Sequence, residues 1–434
     1  LARKESLPPT RWRWSIALVL ALHLLSTAGT WWITDHGEIL AVASRFLEHG
    51  RLDLQDLGPG WEDWERIVAT RHNAKTRFLP LSILSLTPFL LIDHALGLRA
   101  PGELLVVHLQ GHFFVGLALL LAGRFIAKSA GDGMASLAVL LLGLNWPVWM
   151  IARRLGPEPV LLFLMAAFVF GGMRTRLLCL LILPWLHATG PLLGLCALTW
   201  LSVALSTKRL RSLAIAACSW AAGVASLIVF WNLPVHGRAL LGGYGAYATE
   251  QAFGLRNPLI GLVSLTLPLL LWTAPLWLLA LRAPKRSLEQ TLALWVPALS
   301  FFALLAHPSL LPSAEPERRL AALLAATTML VMASLNPVSG GAAAGLSLAA
   351  LGSGLIGLSR DFVTLVETPL GVYAGPHLLF IRMAFQEGHP WFAAAGVGLL
   401  VAVAVVAARR VSGLLAEPTP GVGSNHGPGP ELQS

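Results

Sequence analysis

Long apolar runs, several of them closed by a short basic cluster, recur along nearly the whole chain and constrain its fold more than any other feature. A run of ~20 residues spans the hydrocarbon core of a bilayer as a helix. No water is available at that depth for an open backbone, so each run must be helical. The runs fall at 13–33, 105–125, 133–152, 158–173, 177–187, 190–206, 212–232, 257–281, 289–308, 318–335, 341–358 and 391–408. This pattern predicts an all-α polytopic membrane protein of roughly a dozen spans. A soluble fold is excluded by the surface it would need. Only 12% of the 434 residues are charged, against about 25% in an ordinary soluble domain.

The formal net charge is +9, yet the basic residues stand in short clusters between apolar runs rather than along one stripe. That is a topology signal, and it excludes nucleic acid as a partner. Arg3, Lys4, Arg11 and Arg13 precede the first run as in a signal anchor, which is read here as span 1. With that end cytoplasmic, Arg124/Lys128, Arg174/Arg176, Lys208/Arg209/Arg211, Arg282/Lys285/Arg286 and Arg409/Arg410 are all cytoplasmic, provided that the apolar segment 79–96 does not cross. The segment 34–104 is then one external loop carrying amphipathic helices at the membrane surface. Localisation follows as a multi-pass inner (plasma) membrane protein with both termini cytoplasmic. Residues 1–410 form one transmembrane domain, and the Gly/Pro-rich 411–434 reads as a disordered cytoplasmic tail. The runs 177–187 and 190–206 are short, and His187-Ala188-Thr189-Gly190-Pro191 between them marks two partial helices meeting at one face. Cys179, Cys196 and Cys218 lie in apolar runs and read as packing residues.

Under this topology most acidic residues fall outside. The most informative stretch is Trp31-Trp32-Ile33-Thr34-Asp35-His36-Gly37-Glu38. Paired tryptophans favour the headgroup level, so Asp35 sits where a carboxylate is partly desolvated and able to accept a proton or hold a metal. The competing reading is a helix N-cap at Asp35 with Glu38 in the capping-box position. Glu158, between Pro157 and Pro159, is either an acceptor- or metal-positioning group or an acid favoured by the helix dipole. His108 and His112 share a helix face, as metal ligands or as packing residues.

Residues 35–54, from Asp35-His36-Gly37-Glu38 to Arg51-Leu52-Asp53-Leu54, resemble the first external loop of the C-type (GT-C) membrane glycosyltransferases, which include the protein O-mannosyltransferase and aminoarabinose transferase relatives. Further likenesses follow in family order: Arg77-Phe78-Leu79-Pro80, Arg153 to Pro159, His187 to Pro191, Gly243-Tyr244-Gly245, and Pro316-Glu317-Arg318-Arg319. The chain departs from the family in reading Asp35-His36 for an acidic pair and Ile39 for a tyrosine.

The resemblance implies a GT-C-like bundle of about 12 helices. It implies transfer of a sugar from a polyprenyl-phosphate-linked donor to a glycan, lipid or protein acceptor on the external face, among membrane lipids. The displacement is inverting, and an external-loop aspartate is the base. On this reading Asp35, Glu38 and Glu158 are catalytic, and Lys75, Arg77, Arg318 and Arg319 hold the donor phosphate. His36, His187 and Tyr244 line the substrate cavity. A divalent metal, if the reaction uses one, falls to Asp35 and Glu158. Two alternatives stand beside it: a transporter or flippase for a lipid-linked or anionic substrate, and a catalytically inactive relative.

Overall fold

The computed structural model describes residues 11–27, 34–53, 76, 78–99, 104–153, 155–187, 190–204, 210–237, 239, 340–363, 366–368, 371–373 and 390–416. These are overwhelmingly helical, with one short antiparallel hairpin, β1 (Val366–Thr368) and β2 (Gly371–Tyr373). The spans expected at 257–281, 289–308 and 318–335 lie outside the described residues. Three described helices are long and apolar enough to cross a membrane: Val106–Lys128, Leu210–His236 and Ala394–Gly413. Further apolar helices are shorter, among them Arg13–Leu25, Gly131–Gly143 and Glu158–Phe170.

The bundle is organised around α1 (Arg13–Leu25) and a long helix. Three described helices come between α1 and that long helix: α2 (Thr34–His49), buried on every side from 37 to 45, and the broken pair α3 (Pro80–Leu84) and α4 (Thr87–Ala95). The long helix, α5 (Gln110–Gly143), opens on a 3-10 turn at Val106–Leu109 and is split into two arms at Gly131. Gly131 has φ 87°, a region open to glycine at no steric cost. The arms therefore fold back on each other, and their registers against α1 run in opposite senses. Thr27 meets His112 and Trp12 meets Gly123 on the first arm. On the second arm Arg11 meets Asp132, Ser15 meets Ser136, and His23 meets Gly143. One end of the layer thus gathers Arg11, Trp12, Gly123 and Asp132, and the other gathers Ser26, Thr27, His112 and Gly143.

Beyond α6 (Trp146–Ala152), α7 (Glu158–Phe170) passes through the core, buried along nearly its whole length. A helix apolar on all sides is excluded from water and packs in a core or in lipid; here the core takes it. Its C-terminal carbonyls at Phe168 and Val169 accept hydrogen bonds of 3.0 and 3.2 Å from Arg176, which satisfies groups that a helix end leaves unpaired. Next come α8 (Met173–Leu186), α9 (Gly190–Ala204) and α10 (Leu210–Leu227), the last continuing in π-helical geometry over Ile228–His236. The break expected over 187–191 falls between α8, which ends at Leu186, and α9, which begins at Gly190. Small residues on α10 let it lie close against α8: Ser219 donates to the Leu177 carbonyl and Trp185 donates to Ser226. A Cβ on Gly223 between them would fall 2.5 Å from the Leu181 carbonyl oxygen. This small-residue stripe is how helices approach each other in lipid.

Two long helices complete the described bundle, α11 (Gly340–Val363) and α12 (Pro390–Ala416). α11 approaches Trp149 at Gly354, and α12 lies along α1. Here a boundary is corrected. α12 continues through 411–416, placed in the tail by the sequence reading, and Val411 is buried in the core. The apolar face that Val411 extends holds the last turns helical. Residues 417–434 lie outside the described residues.

Candidate functional site

The helices between α1 and α5 form their own apolar layer at the Ser26/Thr27 end of the bundle. Ile39 to Ala43 of α2 pack with Phe78, Ile83, Leu86, Leu90, Leu104, Val107 and Leu155. Because Leu155 stands three residues before Glu158, this cluster joins the helix bearing Asp35 and Glu38 to the loop that delivers Glu158. Both ends of the segment 79–96 are fastened on this side. At its start, Thr76 Oγ1 donates to Glu38 Oε1 (3.1 Å) and accepts from the Phe78 N–H. At its end, the Asp93 carboxylate accepts three backbone N–H groups, from Leu105, Val106 and Val107, at 2.8–2.9 Å. That carboxylate caps the 3-10 turn leading into α5.

The sequence-derived residues fall as follows. Asp35 and His36 lie in the first turn of α2, which begins at Thr34; Asp35 is therefore inside the helix rather than at its N-cap. Glu38 is buried and bound by Thr76. Glu158 is 3% exposed in the first turn of α7. His187 is buried at the C-cap of α8, where its carbonyl accepts the Gly190 N–H. Lys75, Arg77, Tyr244, Arg318 and Arg319 lie outside the described residues. Among the described residues no group of three or more His, Cys, Asp or Glu side chains is arranged to hold a metal.

His108 and His112 are both buried, and His112 Nε2 lies 2.7 Å from Thr27 Oγ1. They belong to a polar seam that the sequence reading did not assemble. Trp149 donates to Ser26 Oγ (2.7 Å), Arg153 donates to the Ser26 carbonyl, and His23 Nε2 contacts the Gly143 carbonyl oxygen. The seam ties the end of α1 to α5 and α6 directly before the chain enters α2. A second omission is Arg45, 3% exposed on α2 and paired with Asp53 at 2.6 Å. Nothing in the sequence singled it out, because helical spacing places Arg45 opposite the apolar face of α2.

Chemically, the layer offers buried carboxylates at the rim of a helical bundle, held by hydroxyl and backbone groups. Comparison with known proteins adds no relative: no family model, curated protein or solved structure matches the chain. What the fold defines by itself is a helical protein with apolar helices of membrane-spanning length.

Proposed function

We propose that this chain transfers a sugar from a polyprenyl-phosphate-linked donor to an acceptor hydroxyl at the external face of the membrane, as a GT-C-type glycosyltransferase with about 12 spans. The observation that carries the reading is the shared apolar cluster linking α2, with Asp35 and Glu38, to the Leu155–Glu158 loop. Acid groups from two distant stretches of chain thereby belong to one layer at one end of the bundle. A polyprenyl donor needs such a place, because its phosphate rides at headgroup level while its chain stays in lipid.

In the proposed reaction Asp35 takes the proton of the acceptor hydroxyl, which requires hydrogen-bond reach between them. The hydroxyl oxygen bonds to the anomeric carbon as the bond to the phosphate oxygen breaks, with inversion. The electron pair leaves on polyprenyl phosphate, and Lys75, Arg77, Arg318 and Arg319 offset its charge. Glu38 and Glu158 orient the acceptor, or a divalent metal where one takes part. Both termini are cytoplasmic, so the α2 layer faces outward at the inner membrane.

The test is transfer itself. Membranes containing the full chain are supplied with polyprenyl-phosphate-linked mannose or aminoarabinose, and release of free polyprenyl phosphate is measured. Release above that of membranes lacking the chain supports the reading. Uptake or flipping of the intact donor, with no sugar released, contradicts it and favours a transporter.

A further inference from the structure

Gln110 opens α5 and is fully buried. Its side-chain amide grips one residue from both sides: Nε2 donates to the Gly156 carbonyl (3.0 Å), and Oε1 accepts the Gly156 N–H (3.3 Å). The same Nε2 donates to Ser85 Oγ (3.0 Å), at the break between α3 and α4. Gly156 is held at φ +141°, and a Cβ built on it would lie 2.6 Å from Glu158 Oε2. The Glu158 carboxylate therefore rests over the bare Cα of Gly156, in space that no other residue type leaves open.

From these contacts we infer that Gln110 is a positioning residue for the Glu158 carboxylate, acting through Gly156. A primary amide suits this task because it presents a donor and an acceptor in one plane, matching the carbonyl and N–H of a single residue. Asp93 fixes the turn immediately before Gln110, so the outer helices and the Glu158 loop are referenced to the same point on α5. For what Glu158 acts on, the inference rests on the transferase reading. The clamp itself does not.

The experiment therefore has one arm that needs no substrate. Purified full-length protein is treated with dicyclohexylcarbodiimide, which modifies buried carboxyl groups, and labelling at Glu158 is measured by mass spectrometry relative to Glu38. Gln110→Met keeps the volume and removes the grip; Gly156→Ala puts a methyl group where the carboxylate rests. The expected result is a rise in the Glu158-to-Glu38 ratio of about threefold or more in each folded variant, the low end for coupling within one hydrogen-bond network. A smaller rise, or a fall, overturns the clamp.

In the second arm, release of polyprenyl phosphate is compared for Gln110→Met, Glu158→Gln and the double variant. A double variant no slower than Glu158→Gln alone supports positioning, and a loss equal to the product of the two single losses overturns it. If the wild-type chain releases no polyprenyl phosphate, the transferase reading fails, and the labelling ratio still decides the clamp.

Discussion

His23 Nε2 in α1 lies 2.7 Å from the carbonyl oxygen of Gly143 at the end of α5. That contact is possible because Gly143 has no side chain: the position of its absent Cβ is filled by Val19 of α1. The pair locks the second arm of α5 parallel to α1 and sets the level at which α6 and the Glu158 loop begin.

Gly143→Ala should therefore destabilise the bundle by about 1–3 kcal/mol, the range for overpacking a filled core site. Val19→Ala in the same chain should recover part of that loss, because the two residues share one space. Thermal melting in detergent measures both.

Asp93 is a second structural pivot. Asp93→Ala leaves three buried or part-buried N–H groups, at Leu105, Val106 and Val107, without their acceptor. The expected cost is about 2–4 kcal/mol. Asp93→Asn, which keeps one acceptor oxygen, should fall between it and wild type in the same melting assay.

The α8/α10 stripe predicts a steric cost. Gly223→Leu must place its side chain in the space beside the Leu181 carbonyl oxygen, which already lies 2.5 Å from the Cβ position, and should destabilise the bundle by about 1–3 kcal/mol in the same melting assay. Ser219→Ala, which removes only the 2.7 Å hydrogen bond to the Leu177 carbonyl, should cost less, about 0.5–1.5 kcal/mol.

Much of this architecture was legible in sequence because hydropathy is a local property. The apolar runs at 105–125 and 212–232 correspond to long helices, and the His187-to-Pro191 interruption corresponds to the α8/α9 break. Boundaries were less legible where tertiary contacts decide them. The first arm of α5 runs past 125 as far as Gly131, which turns the chain by its own positive φ. Beyond residue 410, packing of Val411 extends α12. Of the site, the carboxylates were visible only as residue types. Their holders were not: Gln110 and Gly156 are 46 residues apart and Thr76 and Glu38 are 38 apart, while in the neighbouring polar seam Arg153 and Ser26 are 127 apart. No local period encodes such pairs.

Orientation gives a further expectation. Arg51, near the end of α2, and Arg124, on the first arm of α5, are both exposed. In a cysteine-free background, Arg51→Cys should react with an impermeant maleimide on intact cells. Arg124→Cys should react only after permeabilisation. The reverse pattern would turn the α2 layer toward the cytoplasm and remove it from an externally presented donor.

The most direct test of the account is Asp35→Asn, which keeps the size of the side chain and removes its capacity to take a proton. In membranes with equal amounts of each protein, polyprenyl phosphate release by this variant should drop by about 100-fold or more, as for loss of a general base. Release at the wild-type rate would show that no proton passes to Asp35, and the proposed displacement could not stand.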